Sequence, residues 1–218
     1  MSARLTPAHL VAWSGAAVVG LMVASLTALP LESVGATGEQ LAAVYAKNRS
    51  AILVSLYLGC LAWSGAFLVY VAALHQALRA RQDEVTALLA GVGLAGGIVN
   101  AAVIVLSVFF GALAAFRSGD LQTLSLLHDG GLLANSFTGF GTAVCVGGFS
   151  PALRRSGFPS WLVVLGVAVG LHHLASAAAL APTGFWSPSG PISSTAPLGM
   201  TLWVGCVSLL AWLRRDRR

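Results

Sequence analysis

Asparagine, threonine and histidine set inside long apolar runs are the residues of this chain that could do chemistry, and their spacing is helical. In the run 85–116, Gly93, Gly97 and Asn100 fall at offsets of four and seven, on one helical face. In the run 159–181, Gly166, Gly170 and His173 repeat that interval. Small residues so spaced let two helix backbones approach closely, so Asn100 and His173 are expected to face neighbouring helices. Asn135, Thr138, Thr142 and Cys145 share a face of the run 130–153, and Tyr57, Cys60 and Ser64 share one of the run 51–75. These groups offer hydrogen bonds but no charge. They suit orienting the polar end of a lipid or small molecule. They equally suit bonding helix to helix, or a hydroxyl back to its own helix.

Metal chemistry has fewer candidates. His128 and Asp129 stand at one end of the run 130–153, and with His172 they would offer imidazole and carboxylate ligands. His172 and His173 are adjacent and point about 100° apart on a helix, so they cannot both serve one site. His9 and His75 lie at a common boundary, too near water for a haem between spans. No metal and no cofactor is expected. The sequence carries no His-Glu-x-x-His, no Gly-x-Ser-x-Gly, no P-loop and no intramembrane acid pair. No Asp, Glu, Lys or Arg lies deep inside an apolar run, which argues against ion-coupled transport and proton pumping. Cys60, Cys145 and Cys206 form no Cys-x-x-Cys pair and read as small hydrophobes.

The elements that must position these residues follow from composition. The chain is 57% hydrophobic and 9% charged, with a mean hydropathy of +0.84. A soluble domain carries about 25% charge. Six runs approach the length of about 20 apolar residues that a bilayer crossing needs: 9–31, 51–75, 85–116, 130–153, 159–181 and 197–213. Backbone groups facing lipid must be satisfied internally, so these are helices. The expected fold is all-α: one polytopic six-helix bundle over residues 1–218. The run 85–116 exceeds what a crossing needs and must tilt or protrude. The order Arg4, apolar run, Val34-Gly35-Ala36 resembles a secretory signal. The run is longer than the roughly 7–15 residues of such a core, so the first helix is expected to be retained.

Charge then sets orientation. Of the 12 basic residues, Arg4, Arg79, Arg81, Arg154, Arg155, Arg214, Arg215, Arg217 and Arg218 fall on one side of this topology. Lys47, Arg49 and Arg117 fall on the other. The positive-inside bias makes the first side cytoplasmic and places both termini there. Trp13, Trp161 and Trp212 fall near that boundary and Trp186 in a loop opposite, while Trp63 and Trp203 are expected to pack between helices. The net charge of +5 is thus a topology signal. No basic stripe with interleaved aromatics suggests nucleic acid. One lysine beside eleven arginines, with many Ala and Gly, suits a bacterial genome rich in GC.

The outer loops are the longer ones. Thr37 and Gln40 form a capping box, and Leu41, Val44 and Tyr45 then share a face, which predicts a short helix on the outer membrane surface. Asp120 can cap a similar segment carrying Leu121, Leu124 and Leu127. The last outer loop holds Pro182, Pro188, Pro191 and Pro197 around Phe185 and Trp186, an irregular cover. At about 1.5 Å per residue, Tyr57, Cys60, Asn135, Thr138 and His173 fall in the outer half, and Ser64, Asn100 and Thr142 near the centre. If these faces converge, they form a polar seam opening outward under the proline loop. Trp-Ser-Gly-Ala occurs at 13–16 and at 63–66, but the flanks do not match.

Six spans, an amphipathic outer segment after the first, a proline-rich outer loop before the last and the tight turn Arg154-Arg155-Ser156-Gly157-Phe158-Pro159-Ser160-Trp161-Leu162 occur together here. This combination resembles a bacterial family of six-span inner-membrane proteins known only as a domain of unknown function. The clearest shared feature is an Arg-x-Gly-x-x-Pro-x-Trp-like turn between spans four and five. Ser160 departs from it, standing where a basic residue is expected. The resemblance implies the fold and a bacterial inner-membrane location and brings no activity. In the turn itself, Gly157 permits a sharp reversal and Pro159 suits the start of a helix. The sequence therefore leads to a non-enzymatic membrane protein. It would hold a lipid or small molecule through Tyr57, Asn100, Asn135, Thr138 and His173, or act as a partner subunit or homo-oligomer in the bilayer. A small permease-like transporter, and a metal-dependent intramembrane enzyme using His128, Asp129 and His172, are the alternatives.

Overall fold

The computed structural model describes residues 6–26, 36–80, 83–117, 119–181 and 183–215. Arg4, Val34, Gly35, Arg81, Pro182, Arg217 and Arg218 lie outside the described residues. The described chain is helical almost throughout: α1 (Pro7–Leu26), α2 (Gly38–Cys60), a π-helical segment (Leu61–Ala66), α3 (Phe67–Arg79), α4 (Glu84–Phe116), α5 (Leu121–Arg155), α6 (Ser160–Ala177) and α7 (Pro191–Arg215). α2, the π segment and α3 run on as one helix. Among the described residues six helices are long and apolar enough to cross a membrane.

The six close into a ring. α1 packs on α7, α7 on α6, α6 on α5, α5 on α4, α4 on α3, and α3 back on α1. One end of the ring carries Arg79, Arg154, Arg155 and Arg214 and is called the arginine end; the other is the cap end. Half of the interior, toward the arginine end, is filled solid. Phe67, Tyr70, Phe149, Leu153, Leu162 and Trp203 are fully buried there. Trp63 is buried too, so both deep tryptophans pack between helices as expected.

The most extensive contact is the glycine seam between α4 and α5. A Cβ on Gly96 would strike the Cys145 backbone nitrogen, and one on Gly148 the Gly93 backbone nitrogen. One on Gly141 would stand 2.6 Å from the Asn100 nitrogen. Close backbone packing of this kind is what associates helices in hydrocarbon, where no hydrophobic drive acts between them. Of the expected Gly93–Gly97 face, Gly93 serves this seam, while Gly97 lies against Val71 of α3. Gly166 and Gly170 behave as expected, facing Ser150 and Val146 of α5.

The cap end differs from the sequence expectation. The capping box exists: the Gln40 backbone N–H donates to Thr37 Oγ1 at 3.3 Å, and the Thr37 N–H donates to Gln40 Oε1 at 2.9 Å. Asp120 likewise caps α5, accepting from the Thr123 N–H. Neither cap opens a separate surface helix. Both helices continue unbroken into their spans. Their first turns and the last turn of α4 pack on one another through Leu41, Tyr45, Ala114, Ala115 and Leu124. The reason is local. Ala46 to Ser50 holds charges but no Gly or Pro, so nothing ends the helix before the apolar run begins. Gly130 and Gly131 are tolerated inside α5. At about 1.5 Å per residue, α4 and α5 are each about 50 Å long, and their surplus over a bilayer core of about 30 Å forms this cap.

Short polar staples fix the arginine end. Asp83 caps α4 and accepts from Arg155 Nε at 2.9 Å, tying the start of α4 to the end of α5. Gly157 turns the chain with φ +84°, the left-handed conformation the sequence reading anticipates. Arg214 of α7 donates to the Gly157 carbonyl at 2.7 Å and lies 4.1 Å over the Phe158 ring. Trp13 and Trp212 meet edge to face at 5.6 Å, and Trp13 and Trp161 are exposed.

Candidate binding site

Above the packed half, the ring encloses a cavity of about 460 Å³ to which all six spans contribute. This lies within the roughly 300–1,000 Å³ of small-molecule sites. Its floor is Trp63, Met22 and Met200, with the Trp63 indole N–H donating to Met22 Sδ at 2.9 Å. Trp63 belongs to the π segment, an element that recurs at functional sites. Apolar walls come from Ile52, Leu56, Ile104, Val108 and Leu132. The rim at the cap end holds Tyr45 and His128, with Pro188, Ser189, Ser193 and Ser194 from the last loop and the start of α7. The cavity is therefore a well, closed toward the arginine end by the fully buried core.

Four of the five sequence candidates meet in this well. Asn100, Asn135, Thr138 and His173 all line it, together with Thr142. Thr142 Oγ1 donates to Asn100 Oδ1 at 3.0 Å across the glycine seam. Thr138 Oγ1 donates to the Asn135 backbone carbonyl at 2.6 Å, a bond within its own helix. Asn135 is accessible, and its amide makes no hydrogen bond among the described residues. His173 is only 5% exposed, and its Nε2 has no hydrogen-bond partner among the described residues. Cys145, expected on the face of Asn135, lies below the well in the core.

Tyr57 is placed elsewhere. It is 66% exposed and does not line the cavity. Ser55 and Gly59 do line it, and Tyr57 is two residues from each. Two residues turn a helix by about 200°, so Tyr57 points out of the ring. Ser64 turns to α4 and donates to the Ala101 carbonyl at 3.3 Å. The expected Tyr57–Ser64 face is thus divided between the outside of the ring and a helix contact.

The metal candidates do not assemble. His172 Nε2 lies 2.9 Å from the Ile192 carbonyl and 3.2 Å from Thr195 Oγ1, so it ties α6 to α7. His128 is at the rim, its Nδ1 3.4 Å from the Tyr45 hydroxyl. Asp129 does not line the cavity. Among the described residues no three His, Cys, Asp or Glu side chains form a group that could hold a metal ion.

The residues that sequence reasoning missed are Trp63 as the floor and the serines of the rim. Ser189, Ser193 and Ser194 sat in a segment read as a loop, whereas α7 begins at Pro191, six residues before the expected start at Pro197. Proline at a first helical position was the available signal. A second hollow, of about 550 Å³, lies open between α3 and α4 beside His75, Arg79 and Gly91, outside the ring.

No protein-family model, curated protein or solved structure matches the chain. The resemblance to the six-span family therefore rests on the spans, loops and turn already named.

Proposed function

We propose that this is a multi-pass protein of a bacterial inner membrane, with both termini in the cytoplasm, that binds a lipid or small apolar molecule in the well without transforming it. The observation that carries this reading is the pairing of a mostly apolar cavity with unspent hydrogen-bonding groups, Asn135 and His173 among them. A cavity of this kind, with a few placed polar groups, is what small-molecule sites are made of. On this reading the arginine end is the cytoplasmic one and the well opens to the outer side.

Transport fits less well. A permease needs a path through the arginine half, and there Phe67, Tyr70, Phe149 and Trp203 leave no exposed surface. A partner-subunit or homo-oligomer role would leave Asn135 and His173 without a task. The test is a native mass spectrum of protein released from mild detergent, beside the His173→Ala variant. A defined extra mass that is lost in the variant supports binding in the well. A bare polypeptide in both samples overturns it and directs the search to protein partners.

A further inference from the structure

We infer that the molecule the well takes is an uncharged, long-chain amphipath whose hydroxyl or carbonyl end meets Asn135 and His173. This rests on the binding reading above and adds the ligand's chemical class.

Charge gives the first argument. Among the described residues no Lys, Arg, Asp or Glu lines the cavity. An ionised head group would lose its water there with no opposite charge to replace it, and burying an unpaired charge costs far more than burying a hydroxyl. Phosphate, sulfate and ammonium heads are disfavoured on that ground.

Shape gives the second. Along α4 the lining runs from Asn100 to Gly111, and along α5 from Thr142 to His128. At about 1.5 Å per residue these stretches span about 16–21 Å. The cavity of about 460 Å³ is therefore an elongated one. An elongated apolar well suits a molecule with an extended hydrocarbon chain. Ile52, Leu56, Ile104, Val108 and Leu132 supply the apolar length.

Hydrogen-bond accounting gives the third. Most polar groups of the well are already used. Thr142 bonds Asn100, and Thr138 bonds its own helix. Ser25 and Ser55 each donate to the other's carbonyl, and Ser107 donates to the Gly131 carbonyl. The Asn135 amide and His173 Nε2 remain, with the Asn100 Nδ2 donor deeper in the well. An amide both donates and accepts, and a neutral imidazole nitrogen does one or the other. A hydroxyl or carbonyl satisfies such a pair, and a bare alkyl end leaves His173 Nε2 orphaned in a low-dielectric site.

The test uses three probes of one chain length on the purified full chain in mild detergent: tritiated hexadecanol, with hexadecane and hexadecyl phosphate as competitors. Hexadecanol is expected to bind at one per chain, and each competitor to need an at least about tenfold higher concentration to displace it. His173→Leu and Asn135→Leu should each weaken hexadecanol by about tenfold or more, and His173→Gln should restore much of the loss. Asn135 is accessible, so its variant tests the proposal even if His173→Leu fails to fold. Binding of hexadecane or hexadecyl phosphate as tight as hexadecanol overturns the class while the well remains a binding site. So does full hexadecanol binding in both leucine variants. If none of the probes binds, the class also falls, and the native mass spectrum decides the reading beneath it: a retained mass keeps the well as a site, and a bare chain removes both.

Discussion

Thr142 and Asn100 are joined by a hydrogen bond of 3.0 Å within the glycine seam between α4 and α5. Both side chains are buried, and the Gly141 and Gly96 backbones flank the pair. Such bonds between spans average about 0.6 kcal/mol, and an orphaned buried acceptor costs about 1–3 kcal/mol. Thr142→Val should therefore destabilise the bundle by about 1 kcal/mol. Asn100→Leu combined with Thr142→Val should recover part of that loss. Unfolding of the purified variants in denaturing detergent measures both; a Thr142→Val protein as stable as the parent would show that the bond is idle.

The glycine seam allows a sharper contrast. Gly96→Ala forces a methyl group against the Cys145 backbone, where no side chain can yield. Overpacking of this kind costs about 1–3 kcal/mol. Gly91, on the same helix, has nothing within 4 Å of the added methyl. Gly91→Ala should be neutral or slightly stabilising, through helix propensity. Equal thermal midpoints for the two variants would contradict the backbone contact.

Acid should release the staple at the arginine end. The Arg155 side chain and the Thr86 hydroxyl, by hydrogen bonds, hold the Asp83 carboxyl down to about 2. A depressed folded-state value means that the contribution is present above the usual carboxylate range and is lost as pH falls through it. The window therefore runs from about 4 down to about 2. Amide exchange of residues 84–87 should quicken across that window in the parent. In Asp83→Asn it should already be quicker at neutral pH and flat with acid. Asp120 caps α5 at the other end, and its carboxyl is lowered too, by its bonds to Thr123.

Orientation has its own test. Gln76 and Gln122 are exposed near the arginine and cap ends. In a background without Cys60, Cys145 and Cys206, Gln122→Cys should react with an impermeant maleimide in intact cells. Gln76→Cys should react only after permeabilisation. The reverse pattern would invert the proposed topology, and labelling of both in intact cells would refute insertion across the membrane.

Much of this architecture was legible because membrane spans write themselves in composition. The six apolar runs match six helices to within a few residues at most ends, and the Asn135, Thr138 and Thr142 stripe does face the interior. What was hidden was phase and continuity. A face drawn on an ideal helix assigns Tyr57 with Ser64, but which side of that helix faces in is set by packing partners. The π segment between them leaves no mark in Leu61-Ala62-Trp63-Ser64-Gly65-Ala66. Continuity failed for a different reason. The caps at Thr37 and Asp120 were read correctly as beginnings, while the polar residues that follow suggested an end that no glycine or proline enforces. His172 illustrates a third limit: its neighbour His173 faces the well, and only the position of α7 reveals that His172 is already bonded to it.

The two walls of the well are built to different standards of stiffness. Where α4 meets α5, backbone rests on backbone at Gly96, Gly141 and Gly148, with the bonded Asn100–Thr142 pair and the buried Phe149 ring locked beside them. Beside it, bonded to α4 through Ser64, stands the wall that carries the π segment, with a wider helical turn and the indole of Trp63 resting on a thioether. Interiors packed atom to atom transmit displacement rather than absorb it, and a helix irregularity is where a span most cheaply changes its path. Fit in this protein is thus an asymmetric affair. A guest of slightly different girth is accommodated from the Trp63 side, against a fixed datum of glycines.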